Sequence, residues 1–270
     1  MKHYALIGDP VGHSLSPAIY GFLFEKYGID ADFSLIRLPK GRAGDAVCMG
    51  LDGFACTMPH KQDIIPFLSA LSPDAAAMGS VNIVNLEEHG YIGYSTDGEG
   101  LLSAIRPKHA AVGQNVFIIG SGGAARSAAY SLAKQNSVTL FARNEAAAIN
   151  VAAAAGAFWR PLSHLMEDVA DCDILINATP LGMSCCESFN SLAFLQKLNP
   201  SALVCDMVYM PRETDLLKAA RALGIDTVEG IEMLIGQGFA AFAIWTGILP
   251  SDLLKRDLYI KICKIGRAHV

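Results

Sequence analysis

No apolar run in the 270-residue chain approaches the roughly 18 uninterrupted residues that a membrane helix needs. No C-x-x-C pair occurs among Cys48, Cys56, Cys172, Cys185, Cys186, Cys205 and Cys263, so the ligand spacings of a zinc site are missing and no metal is expected. Most of these cysteines sit in apolar runs and read as reduced core residues. Basic residues are outnumbered 21 to 26, the net charge is −5, and no basic stripe is present, which argues against a nucleic-acid partner. The opening MKHYALIGDP has one lysine and a short apolar run, neither a secretory signal nor a transit peptide, so the expected compartment is the cytoplasm. Internal repeats are absent, as are low-complexity segments beyond runs of alanine. What is abundant is apolar: 52% hydrophobic against 17% charged residues supplies a large core and excludes disorder, and the length suits two modest domains.

Strand-like runs alternate with helical stretches, which predicts an α/β chain with parallel sheets. Strands are expected at Tyr4 to Ile7, Phe33 to Leu38 and Phe54 to Thr57. A hairpin is expected at Val81 to Leu86 and Tyr91 to Tyr94. Ser16-Pro17 predicts a helix start with Ser16 as N-cap, closed by Gly28. Asp97 to Ile105 reads as a helix, and Arg106-Pro107-Lys108 breaks the pattern. A second unit then begins, with strands at Asn115 to Gly120, Val138 to Phe141, Ile174 to Asn177, Leu203 to Met207 and Thr227 to Glu229. Ile231 to Trp245 is a long apolar helix that returns to the first domain. The expected domains are therefore 1–105, completed by helices in 231–263, and 106–230. Lys264 to Val270 (KIGRAHV) matches the translation of a common sequencing adapter and is read as an artefact of gene assembly.

The stretch VFIIGSGGAARSAAYSLA puts Gly120, Gly122 and Gly123 between a strand and a helix. A tight turn, a close approach of backbone to phosphate and the free N–H groups of a helix start together make a dinucleotide site. Ala125 stands where the third glycine of that fingerprint often becomes alanine. The residue reading the adenosine ribose should follow about twenty positions on, which lands on FARNE, 141–145. Arg143 there suits a 2′-phosphate, while Glu145 suits a free ribose; Asn144 can serve either.

Taken together, the segments GDPVGHSLSP (8–17), GFACTMPHK (53–61), MGSVNIV (78–84), GYSTDG (93–98), GSGGAAR (120–126), INATPLGM (176–183), DMVYMPRET (206–214) and IGQGFAAFAIWTG (235–247) resemble the shikimate dehydrogenase family in order and spacing. The resemblance implies a substrate-binding domain and a Rossmann-type dinucleotide-binding domain with the active site in a cleft between them. It also implies reversible reduction of 3-dehydroshikimate to shikimate, in aromatic amino-acid biosynthesis by way of chorismate. Carried onto this chain, it makes Lys61 and Asp97 the catalytic pair, and Ser14 and Ser16 the holders of the substrate carboxylate. Thr57, Asn82 and Gln237 would bond ring hydroxyls, with Tyr209 near the carboxylate. For the cofactor it implies Gly120, Ser121, Gly122, Gly123, Ala124 and Ala125 at the phosphates, and Arg143 and Asn144 at the adenosine. Asn177, Thr179 and Met207 would line the cofactor cleft, with Gly230 and Met233 at the nicotinamide.

The chain departs from the family at Ala55 and Ser95, where Asn is common, and at Ala147 or Ala148, where a second basic residue often stands. The expected cofactor is NADP with NAD possible, and the expected partner is the small-molecule substrate alone, on a monomer or homodimer. Quinate/shikimate dehydrogenase with NAD or dual cofactor use is the neighbouring reading, and an inactive ligand-binding homologue a distant one.

Overall fold

A computed structural model describes residues 1–184 and 186–265. Two compact units form, one from Met1–Thr96 with the chain from Gln237 onward, the other from Asp97–Gly236.

In the first unit the elements are β1 (Lys2–Gly8), α1 (Ser16–Tyr27), β2 (Ala31–Arg37), β3 (Gly53–Cys56), α2 (His60–Asp63), β4 (Ala70–Leu71), α3 (Pro73–Met78), β5 (Ile83–Glu87) and β6 (Gly90–Tyr94). They build a six-stranded sheet in the order β2-β1-β3-β5-β6-β4. The continuous apolar run of β1 puts it inside the sheet, with β2 and β3 parallel on either side. β5 runs antiparallel to β3 and to β6, so this sheet is mixed, and β5 and β6 form the hairpin expected there. The reason is the short Glu88-His89 connection, which can only join antiparallel neighbours, with Gly90 at φ +113°. One face packs Ala5, Ile7, Phe54, Ile64 and Val84 into a core.

The second unit holds α4 (Asp97–Ile105), β7 (Asn115–Ile119), α5 (Gly123–Ala133), β8 (Ser137–Ala142), α6 (Glu145–Ala155), β9 (Phe158–Pro161), α7 (Leu165–Asp168), β10 (Ile174–Asn177), β11 (Leu203–Asp206), α8 (Asp215–Ala222) and β12 (Asp226–Val228). Its sheet has the order β12-β11-β10-β7-β8-β9, and every pairing is parallel. Counted within the unit from the β9 edge, this is the order 3-2-1-4-5-6 of the doubly wound dinucleotide fold. Alternate residues feed opposite faces. Val116, Ile118, Leu140 and Ile176 join one core with α5, while Phe117, Ile119, Leu175 and Val204 join another with α8. β9 escaped the sequence reading because it is an exposed edge, with Phe158 66% accessible and Pro161 at its end, where a ladder donor is dispensable.

The last helices are α9 (Gly230–Thr246) and α10 (Asp252–Ile265), and the division between units falls within α9. Trp245, late in α9, stacks on Tyr4 at 4.7 Å and lies 4.9 Å from Tyr20, between ring centroids. Its indole N–H donates to the Val84 carbonyl at 3.0 Å. A side chain at Gly53 would strike that indole, so glycine is required there. The division of the chain follows contacts rather than punctuation. α4 groups with the second unit because Gly98 lies directly against Ser131 of α5, and Gly236 against Ser103.

Two details depart from expectation. Ser16 is the first helical residue of α1, not its N-cap, because Leu15 already has helical backbone angles (φ −83°, ψ −3°). Ser14 serves that end instead, its hydroxyl accepting from the Ser16 N–H at 3.2 Å. Among the cysteines, Cys56, Cys172 and Cys205 are buried as expected, but Cys48 and Cys186 are exposed. Of the suspected artefactual tail, Lys264 continues α10, whereas 266–270 lie outside the described residues.

Candidate active site

In the first unit several proposed substrate residues stand in the segments that leave β1 and β3. β1 ends at Gly8, whose missing side chain leaves room for the Thr57 methyl. The Thr57 N–H donates to the Ile7 carbonyl at 2.9 Å, which fixes the segment leaving β3. The next anchor is His60, fully buried, its Nε2 bonded to the Leu38 carbonyl at 2.7 Å. A carbonyl only accepts, so Nε2 carries the proton. His60 is thus structural, and it holds the short helix α2 on which Lys61 stands, half-buried. The Lys61 carbonyl accepts from the Val81 N–H at 2.8 Å, tying α2 to the segment that carries Asn82 into β5.

Asn82 is 3% exposed. Its Nδ2 donates to Thr96 Oγ1 at 2.9 Å and to Gln237 Oε1 at 3.1 Å, while its Oδ1 accepts from the Thr96 N–H at 2.7 Å. Both amide hydrogens are therefore committed, and Asn82 orients Gln237. Ser14 and Ser16 are a pair, with hydroxyl oxygens 3.1 Å apart. The structure thus brings together Asn82 with Gln237 and Ser14 with Ser16, and bonds the Lys61 carbonyl to Val81, the residue before Asn82. Asp97 belongs to the second unit, where it opens α4 and is 3% exposed.

In the second unit the strand order reverses between β7 and β10, the point at which such sheets bind ligands. Gly120 follows β7 at φ +125°, and a side chain there would press on the Ala178 carbonyl and the Thr179 methyl at 3.1 Å. Ser121 is half-buried. At Gly122 and Gly123 a side chain would meet nothing within 4 Å, so protein packing does not demand glycine at either. Gly122 caps α5 without a side-chain bond, and no acid occupies the first turn, so the helix start keeps free N–H groups for an anion. Ala124 is half-buried in that turn, whereas Ala125 is fully buried in the core. Ala125 accordingly allows close helix–sheet packing and offers a ligand only backbone. An open glycine cradle under an uncapped helix end fits the diphosphate of a dinucleotide.

The wall of this crevice is built by a buried carboxylate that sequence reasoning missed. Asp206, at the end of β11, is 1% exposed. Its oxygens accept from Asn177 Nδ2 at 2.9 Å, the Val208 N–H at 3.0 Å and the Thr214 hydroxyl at 2.6 Å. Burial holds its carboxyl above the usual aspartate range, against the opposing pull of these three donors. Asn177 passes the order onward. Its Oδ1 accepts from the Thr179 N–H and hydroxyl at 3.1 and 2.7 Å, and its Nδ2 donates to the Leu181 carbonyl. The signal in the sequence was an acid closing a buried strand, LVCD.

Thr179, Pro180 and Leu181 then line a recess of about 310 Å³ together with Arg143, Cys186 and Glu187. Asn144 lies beside it but caps α6, its Oδ1 accepting from the Ala147 N–H at 3.0 Å, and Glu145 sits in the first turn of that helix. Met207 and Gly230 meet at backbone level, since a side chain on Gly230 would strike the Val208 and Met207 carbonyls at 2.5 and 2.8 Å. Met233 and Met207 belong to one apolar cluster. Tyr209 is half-buried, and burial pushes its phenol pKa up.

Sheet order, glycine turn and uncapped helix define a dinucleotide-binding α/β protein. Residues 6–84 match the shikimate dehydrogenase substrate binding domain, and residues 230–251 the shikimate 5′-dehydrogenase C-terminal domain. The chain belongs to the shikimate dehydrogenase family. It is 40% identical over 260 residues to the NADP(+) shikimate dehydrogenase of Pyrococcus abyssi, covering 95% of this chain and 97% of that one. A solved shikimate dehydrogenase in complex with NADP+ is 33% identical and superposes with a TM-score of 0.88, over 97% of this chain and 95% of the other. The Thermus thermophilus enzyme, solved with NADP(H) and shikimate, is 29% identical with a TM-score of 0.86, over 97% and 99%. Residues 115–175 also match a model described as an FAD binding domain, a stretch that opens with the strand–glycine–helix turn shared by dinucleotide folds. No described helix is long and apolar enough to cross a membrane.

Proposed function

We propose that the chain is an NADP-dependent shikimate dehydrogenase, reducing 3-dehydroshikimate reversibly to shikimate. The observation that carries this reading is full-length identity of 40% to an enzyme of that name, with Lys61, Asp97 and the SLSP serines all present. In this reading the first unit holds substrate and the second holds cofactor. NADPH held by the second unit would supply the hydride for the ketone carbon. Lys61 gives a proton to the ketone oxygen and steadies the charge developing there; in the oxidative direction it takes the proton back. Asp97 is the second catalytic group. Ser14 and Ser16 hold the carboxylate, Thr57, Asn82 and Gln237 the ring hydroxyls, and Tyr209 lies toward the carboxylate. Gly120 through Ala125 cradle the diphosphate, Arg143 and Asn144 take the adenosine end, and Asn177, Thr179, Met207, Gly230 and Met233 flank the nicotinamide end. Cytoplasmic residence and a monomeric or homodimeric state belong to the same reading. Initial rates with shikimate and with quinate, each with NADP and with NAD, test it. Fastest turnover is expected for shikimate with NADP, and faster turnover of quinate with NAD would replace it.

Arg143→Ala should weaken NADP selectively, by about 1.5–3 kcal/mol for a lost charge-assisted hydrogen bond. Calorimetric titration with both cofactors checks this, and equal losses for the two would reduce Arg143 to an adenine-stacking group. Ala55 is 6% exposed in β3, two residues before Thr57. Ala55→Asn should tighten shikimate binding about two- to tenfold, the worth of one neutral hydrogen bond. Weaker binding of shikimate alongside stronger binding of quinate would mean that Ala55 makes room for the bulkier ring substituents.

A further inference from the structure

The acid that shares the Arg143 recess is not the one beside it in sequence. Glu145 opens α6, where an acid suits the helix dipole, and it does not line the recess. Glu187 does, from the loop that follows β10. That loop is pinned by its own backbone. Met183 N–H donates to the Pro180 carbonyl at 3.0 Å, Cys186 N–H to Met183 at 2.9 Å, and Gly182 N–H to the Glu187 carbonyl at 2.8 Å. Ser184 N–H donates to Met210 at 3.1 Å, and Thr179 is held by Asn177 as described. The Glu187 carbonyl is thus tied to Gly182 at the recess. Among the described residues the lining carries one cation, Arg143, and one anion, Glu187; the others are neutral. Positions 147 and 148, at one of which a second basic residue would add to Arg143, are both alanine.

We propose that Glu187 is a specificity-determining residue that moderates the preference for NADP over NAD by opposing the 2′-phosphate in the Arg143 recess. The inference rests on the reading of that recess as the adenosine end of the cofactor site. A phosphomonoester carries about −1.5 to −2 charges at neutral pH, so it is drawn by the guanidinium and repelled by the carboxylate. A ribose with a free 2′-hydroxyl feels no such repulsion and can donate a hydrogen bond to a carboxylate. Glu187 is exposed, and its backbone carbonyl makes the loop contact, so exchanging its side chain leaves the turn intact.

The test measures dissociation constants of the intact protein for NADP+, NAD+, 2′,5′-ADP and 5′-AMP by calorimetry, in wild type, Glu187→Gln, Glu187→Lys and Arg143→Ala. Glu187→Gln should tighten NADP+ and 2′,5′-ADP about three- to tenfold relative to NAD+ and 5′-AMP, the size of one partly screened charge–charge term. Glu187→Lys should extend the shift in the same direction. The gain should shrink in ~0.5 M salt, and below about pH 6, where the phosphate loses its second charge. An unchanged ratio, equal shifts for both cofactors, or weaker NADP+ binding in Glu187→Gln overturns the proposal. Arg143→Ala separates the two levels: loss of discrimination there with no response to Glu187 defeats the role of Glu187 alone. If Arg143→Ala leaves 2′,5′-ADP binding untouched, the recess is not the phosphate site and both fall.

Discussion

Lys61→Ala should fold, bind cofactor and lose about 10²- to 10⁴-fold in turnover, the usual worth of a positioned general acid–base group. The fold should survive because the ties of α2 are made by backbone and by its neighbour. The Lys61 carbonyl holds Val81, the Ile64 N–H reaches His60 at 3.0 Å, and His60 is anchored on Leu38. None of these uses the ammonium group. The loss should appear in kcat more than in KM, with circular dichroism unchanged and a larger isotope effect when the transferred hydrogen of NADPH is deuterium. Lys61→Arg divides the role further. A guanidinium keeps the positive charge but does not give up a proton near neutrality, so it should restore electrostatic steadying without proton exchange. Turnover close to wild type in Lys61→Ala would remove this residue from the chemistry.

Asp206→Ala carries the second large effect, on stability and cofactor binding together. Three buried donors lose their acceptor at once: Asn177 Nδ2, the Val208 N–H and the Thr214 hydroxyl. Each buried group left unsatisfied costs roughly 1–3 kcal/mol, so a loss of about 3 kcal/mol or more is expected in denaturant unfolding. Asn177, freed from Asp206, no longer presents Thr179 and Leu181 to the recess, so NADP+ binding should fall as well. Asp206→Asn isolates the charge. Burial raises the folded carboxyl above its unfolded value of about 3.9, so the native state takes up the proton more readily. This contribution to stability is complete below the unfolded value and is lost as pH rises through the raised folded value. The advantage of wild type over Asp206→Asn should therefore narrow from about pH 4 upward. An advantage independent of pH would mean that Asp206 titrates alike in both states.

The sequence was most readable where one signal decided one thing. The apolar run of β1, the glycine turn at 120–123 and the hairpin strands around Gly90 each follow from local chemistry, and each stands in the structure. Ser16 misled because Ser14 and Ser16 are both capping types, and only the backbone angles of Leu15 reveal where the helix begins. β9 carries no alternation, since an edge strand needs none. Asp206 was passed over because its partners, Asn177 and Thr214, stand 29 and 8 residues away. Acids near Arg143 could be weighed only by sequence distance, which pointed to Glu145; the turn that brings Glu187 to the recess is made by loop hydrogen bonds with no signature of their own.

The stacking of Tyr4 on Trp245 sets an order for the birth of the molecule. These two residues, neighbours in one core, are separated by 241 positions. Chains usually complete their N-terminal domain first as they leave the ribosome. Here the second unit is one unbroken stretch, Asp97–Gly236, and its whole sheet has emerged before the first unit receives Phe242 and Trp245. A chain truncated after Gly236 therefore holds all six strands of the parallel sheet, while the rings of Tyr4, Tyr20 and Phe33 still lack their indole cover. Rings made early are thus among the last to be covered, and a chaperone that shields aromatic surface would find its work on Tyr4, Tyr20 and Phe33.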